Sequence, residues 1–151
     1  MKIIVVCTGN SCRSQMAEGL IKNRFPEFEV FSAGTHPESN VNPYAVKVMQ
    51  EKGIDISSHY PKLVDDLIDT EFDYALTVCD SANELCPVFP NAKNRIHKSF
   101  VDPKRDHYDS EEHAVEIYTE TMNLIDEWID ELETQWTVSY THLTLPTIYS
   151  V

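Results

Sequence analysis

Hydrophobic and polar positions along this chain switch between a strand-like and a helix-like period. Lys2 to Val6 opens with a continuous apolar run of β-branched residues, Ile3 to Val6, which predicts a buried strand. After a short polar loop, Ser14 to Arg24 reads as a helix, with Met16/Leu20 and Ala17/Ile21 four residues apart and Pro26 as its stop. Glu29 to Ala33 predicts a second strand closed by Gly34. Asn42-Pro43 starts a second helix, a capping residue followed by proline at the first helical position, and Gly53 ends it. Leu63 to Ile68 is a short helical turn. Tyr74 to Val78 predicts the third strand and Arg95 to Phe100 the fourth. From Asp109 to about Glu133 the pattern is a long amphipathic helix, its apolar stripe formed by Ala114, Tyr118, Ile125, Trp128, Ile129 and Leu132. Asp109 and Glu112 have the spacing of a capping box.

The resulting order, β-α-β-α-β-β-α, implies an α/β single-domain three-layer sandwich, a four-stranded parallel sheet with helices on both faces. In such sheets ligands bind outside the carboxyl ends of the strands. Cys7 and Cys79 fall at the carboxyl ends of predicted strands, so the fold should bring them to one edge. The 151 residues suit one domain.

Charge narrows the partners. The net charge is −13, but residues 106–151 hold 11 acids and no lysine or arginine, while residues 1–105 balance 14 acids against 12 bases. The acidity reads as a solvated helix face. It argues against nucleic acid, which needs a basic surface, and an anionic substrate would have to be held by local donors. The apolar runs are too short for a membrane span or a signal peptide. A cytoplasmic location, no membrane partner and a monomer are expected, with the four cysteines as resting thiols and any disulfide transient.

The loop CTGNSCRS at 7–14 carries the chemistry. Cys7 and Arg13 are separated by five residues between a strand and a helix. Such a loop can turn backbone N–H groups inward around an anion, and the following helix adds its dipole. Gly9 and Asn10 are types that tolerate the positive φ of a tight cradle. Arg13 can bind two oxygens of a tetrahedral oxyanion. The same field favours a nucleophilic thiolate at Cys7, and Ser14 is placed to donate a hydrogen bond to it. A buried cysteine before an ordinary turn, or a phosphate-binding loop without catalysis, are the simpler alternatives.

This stretch, CTGNSCRSQMAEG, resembles the active-site loop of thioredoxin-coupled arsenate reductases, which share the fold of low-molecular-weight protein tyrosine phosphatases. The similarity covers roughly residues 1–134, with further matches at SAG 32–34, NP 42–43, GIDIS 53–57, CP 86–87 and DP 102–103. Cys79 and Cys86 stand in a C-x6-C segment. Two unrelated buried cysteines would fit it. A zinc site built from all four cysteines fits poorly, because zinc pairs are closer in sequence and the metal would take the thiolate that the loop needs. A reductase, unlike a phosphatase, needs these thiols to carry two electrons.

The resemblance implies that Cys7 attacks arsenate held by Thr8, Gly9, Asn10, Ser11, Cys12, Arg13 and Ser14. Asp102 would serve as general acid, although Asp-Pro is also a common turn starter. Cys79 and Cys86 would pass the disulfide outward to thioredoxin, the external reductant. No bound cofactor or metal is implied. Some relatives bind potassium near Asn10 and Glu18, but Lys62 stands where that site would be completed. Val101 replaces the usual aspartate before the acid, the aromatic common in this neighbourhood is missing from HKSF at 97–100, and the 35–40 loop is lengthened and polar. Phosphomonoester hydrolysis by Cys7, Arg13 and Asp102 is the alternative activity, and a non-enzymatic oxyanion sensor a third reading.

Residues 138–151 (VSYTHLTLPTIYSV) carry no charge and no helical stripe. They resemble the translation of a sequencing-library adapter. The expected domain is therefore 1–137, with 138–151 a non-native tail.

Overall fold

The computed structural model describes residues 1–80, 87–105 and 107–149, with the backbone alone at 105 and 137–149. Four parallel strands form one sheet: β1 (Lys2–Cys7), β2 (Glu29–Gly34), β3 (Phe72–Thr77) and β4 (Ala92–His97), in the spatial order β2-β1-β3-β4. Ile3, Ile4, Val5 and Val6 of the central β1 are all fully buried, which explains an unbroken apolar run rather than an alternating one. Ile3 and Val5 face helices α1 (Arg13–Arg24), α2 (Pro43–Glu51) and α3 (Glu111–Tyr149). Ile4 and Val6 face the 3-10 helix at Val64–Leu67 and the aromatic pair Phe72 and Phe89, whose ring centroids lie 5.4 Å apart.

The chain leaves β1 toward β2 on one side and later returns to β3 on the other. The crevice between the carboxyl ends of β1 and β3 is therefore the topological switch point, where this fold class places its ligands. The register sets Val6 beside Thr77, and the Val78 N–H donates to the Val6 carbonyl at 3.2 Å. Cys7 and Cys79 thus flank that crevice, as the strand pattern implied.

The predicted signals at α2 hold. The Asn42 side chain accepts the Tyr44 N–H at 2.9 Å, with Pro43 at the first helical position. Gly53, at φ +88°, supplies the left-handed residue after its last turn. The stripe from Ala114 to Leu132 on α3 is buried throughout.

β3 spans Phe72–Thr77 rather than the expected Tyr74–Val78, and three further features differ. β4 lies at Ala92–His97 rather than Arg95–Phe100: it is an edge strand whose Lys93, Asn94 and Arg95 are exposed, so it shows no apolar period. Phe100 is buried outside the strand, against Trp128 at 5.6 Å. The cap of α3 is Ser110, not Asp109, because the Ser110 hydroxyl reaches the His113 N–H at 3.1 Å while the Asp109 N–H donates to His113 Nδ1. Finally, α3 continues past Glu133 to Tyr149; no glycine or proline interrupts residues 134–145, and an established helix extends at little cost. Among the described residues no helix is long and apolar enough to cross a membrane.

Candidate active site

The loop between β1 and α1 is stitched to the segment that follows β2. The carbonyls of Cys7, Thr8, Gly9 and Ser11 accept the backbone N–H groups of Thr35, His36, Glu38 and Asn42, at 3.3, 2.9, 2.9 and 2.7 Å. This extends the parallel pairing of β1 and β2 beyond the strands. Asn10 sits at φ 49°, the left-handed conformation expected of it. Gly9 does not share that conformation, contrary to expectation. What Gly9 provides is room: a Cβ there would lie 2.9 Å from Glu38 Oε2.

Cys7 is buried at the base of a cavity of about 250 Å³, lined by residues 7–13 with His36, Glu38, Asp102 and Lys104. Its Sγ lies 2.9 Å from Ser14 Oγ and accepts the Asn10 N–H at 3.3 Å. Asn10 Nδ2 donates to the same Ser14 oxygen at 2.8 Å. That bond occupies an oxygen lone pair and leaves the hydroxyl hydrogen to point at sulfur. Cys12, the residue before α1, is buried in the core; burial, with the Asp102 carboxylate adding to it, pushes its thiol well above the usual range. It packs into the core while also lining the cavity beside Cys7.

Arg13 begins α1 with its guanidinium nearly buried. Nη1 donates to the Phe100 carbonyl at 3.0 Å, and Nη2 lies 3.7 Å from Asp102 Oδ2. Asp102 has two roles at once. Oδ1 accepts the Lys104 N–H at 3.0 Å, the turn expected of Asp-Pro, while Oδ2 is left beside Arg13 on the cavity wall.

A second polar layer lies behind the loop. Asn10 Oδ1 accepts the Lys62 N–H at 2.8 Å, and Gln15 Nε2 donates to the carbonyls of Asn10 and Tyr60, both at 3.1 Å. Glu18 accepts from Ser32 Oγ at 2.6 Å and pairs with Lys22. Burial lowers the Lys62 ammonium despite the opposing pull of Glu18. Among the described residues no cluster of three His, Cys, Asp or Glu side chains could hold a metal.

His59 completes this layer, with Nδ1 3.0 Å from Gln15 Oε1 and 3.6 Å from Glu18 Oε2. Burial holds its imidazole below the ordinary 6.5, outweighing the Glu18 charge. The unfolded chain then binds the proton more readily, so stability falls as the pH drops through and below 6.5. His59→Gln should flatten the difference between urea midpoints at about pH 7.5 and about pH 5.5. Equal differences in the two proteins would assign the acid sensitivity to other groups.

Beyond the end of β3, Cys79 is fully buried and disulfide-bonded, whereas Cys7 and Cys12 are free thiols. The fold accommodates a disulfide at Cys79, and the resting state of that sulfur is set by the surrounding redox poise. Cys86 lies outside the described residues. Sequence reasoning missed Glu38, His36 and Lys104 as cavity residues. No motif marks them; they arrive through the pairing that follows β2 and through the turn after Asp102.

Residues 2–140 match the family model described as low molecular weight phosphotyrosine protein phosphatase. The chain belongs to this family. An arsenate reductase of Halalkalibacterium halodurans is 45% identical over 115 residues, 75% of this chain and 82% of the relative. Among solved members of this fold, an arsenate reductase in the phosphate-binding state superposes with a TM-score of 0.73 at 28% identity, covering 89% of this chain and 97% of that one. A thioredoxin-dependent arsenate reductase of Corynebacterium glutamicum gives 0.67 at 26% identity, over 91% of this chain and 62% of the other. The phosphatase family thus includes relatives named for a different reaction.

Proposed function

We propose that this protein reduces arsenate to arsenite through a thiol-disulfide relay that thioredoxin resets. The observation that carries the reading is the placement of Cys7, in its cavity, and of a buried second cysteine just past the end of the adjacent strand, at one edge of the sheet. The named relatives support the same reaction. In this mechanism the Cys7 thiolate attacks arsenic, and an As–O bond breaks. Asp102 gives its proton to the departing hydroxyl, which leaves as water. Cys79 then attacks Cys7 Sγ. The S–As bond breaks with its electron pair passing to arsenic, arsenite leaves, and a Cys7–Cys79 disulfide forms. Cys86 attacks Cys79, returning Cys7 as thiolate, and the dithiol of thioredoxin reduces the resulting Cys79–Cys86 disulfide. A disulfide-bonded Cys79 is compatible with a relay cysteine in its oxidised form.

Arg13 and the loop N–H groups hold the oxyanion, and Asn10 and Ser14 orient the sulfur. We assign the protein to the cytoplasm, where a thioredoxin system keeps such thiols reduced. The same Cys7, Arg13 and Asp102 would suffice for phosphomonoester hydrolysis, the less favoured reading. The test supplies arsenate, thioredoxin, thioredoxin reductase and NADPH. NADPH oxidation should depend on arsenate and vanish in Cys7→Ser. Rapid aryl phosphate hydrolysis with no arsenate-dependent oxidation would overturn the assignment in favour of the phosphatase.

A further inference from the structure

Glu38 stands at the mouth of the Cys7 cavity. Its backbone N–H is fixed on the Gly9 carbonyl at 2.9 Å. Its carboxylate accepts the Ser11 hydroxyl through Oε2 and pairs with the Lys104 ammonium through Oε1. The Lys104 N–H in turn holds Asp102. A line of contacts therefore runs from the oxyanion loop, through Glu38 and Lys104, to the segment bearing the proposed acid. Burial alone would raise the Glu38 carboxyl, but the Lys104 and Ser11 hydrogen bonds and the Lys104 charge hold it below 4.5, so it is an anion at neutral pH.

An anion in that position competes with a bound oxyanion. It takes the hydroxyl of Ser11, and its charge opposes any dianion that approaches the loop. Its side chain is 40% exposed, so it has solvent to swing into. We propose that Glu38, tethered by Lys104, is a specificity-determining strap that an incoming oxyanion must displace and that keeps the ester group of larger phosphates out of the cavity. The proposal rests on reading residues 7–14 as the oxyanion site. Once displaced, Glu38 releases the Ser11 hydroxyl and the Lys104 ammonium, both of which line the same cavity and favour the anion that replaces it.

Inorganic phosphate is the probe, because its binding can be measured by calorimetry on the reduced full chain without any turnover. Removing a competing charge-assisted hydrogen bond is worth roughly a factor of ten, so Glu38→Gln should bind phosphate about tenfold more tightly than wild type. Glu38→Ala should bind at least as tightly and hydrolyse an aryl phosphate faster than wild type. Glu29→Gln, at the opposite end of the sheet, should leave phosphate affinity unchanged. Equal or weaker binding by Glu38→Gln would overturn the strap, as would an equal gain in Glu29→Gln, which would mark a general charge effect. If wild type binds phosphate and Glu38→Gln binds no better, the strap alone falls. If neither binds, the oxyanion reading falls with it.

Discussion

Cys79→Ser should abolish steady-state arsenate turnover, by about three orders of magnitude or more, while inorganic phosphate still binds. Cys79 is fully buried just beyond β3, while Arg13 is fixed on the Phe100 carbonyl at 3.0 Å. Without it, the S–As bond at Cys7 has no thiol to break it, so no arsenite is released. Cys86→Ser should stop one step later. In a single turnover without thioredoxin it should release about one equivalent of arsenite per chain and retain a Cys7–Cys79 disulfide, readable by mass spectrometry. Arsenite in near-stoichiometric amounts from Cys79→Ser would refute the order of the relay. Under the phosphatase reading both variants would hydrolyse an aryl phosphate at the wild-type rate.

Gly34→Ala should damage the site from behind. Gly34 ends β2 opposite Cys7, and a Cβ there would lie 2.4 Å from the Thr8 carbonyl oxygen and 3.0 Å from the Asn10 nitrogen. Both are backbone atoms held in the ladder or in a left-handed turn, so neither can rotate away as a side chain would. The Gly34 N–H is itself fixed on the Lys62 carbonyl at 2.8 Å. Either β2 or the loop must shift, at a cost of about 3 kcal/mol. The urea midpoint should drop accordingly, and phosphate affinity should fall with it. A stability within about 0.5 kcal/mol of wild type would show that the loop yields freely.

The central elements were legible because their pattern and their environment agree. β1 is buried on both faces and is uniformly apolar; α2 carries its cap, its proline and its glycine in the sequence. Cys7, Asn10, Arg13 and Ser14 could be read together because one strand-loop-helix unit positions all four. β4 was misplaced because an edge strand with Lys93, Asn94 and Arg95 exposed has no face to bury, and Phe100 drew the expected strand toward a residue that packs on α3 instead. Glu38 was invisible for another reason. A polar loop residue becomes part of the cavity only when two parallel strands set two distant segments side by side. Gly34 belonged to a recognised motif, SAG, yet its role needed the distance to Thr8.

The ladder between residues 7–11 and 35–42 has a consequence for how the loop meets its ligand. A free loop would have to surrender backbone freedom on binding, at roughly 1–2 kcal/mol for each residue ordered. Here four carbonyls are already secured by a neighbouring stretch of main chain. The backbone is ordered when the sheet forms, so that share of anion affinity is tied to global folding, and the transition left at the mouth is the swing of the Glu38 side chain. Amide exchange at Thr35, His36 and Asn42 should then be slow in the unliganded protein and barely change when an oxyanion arrives.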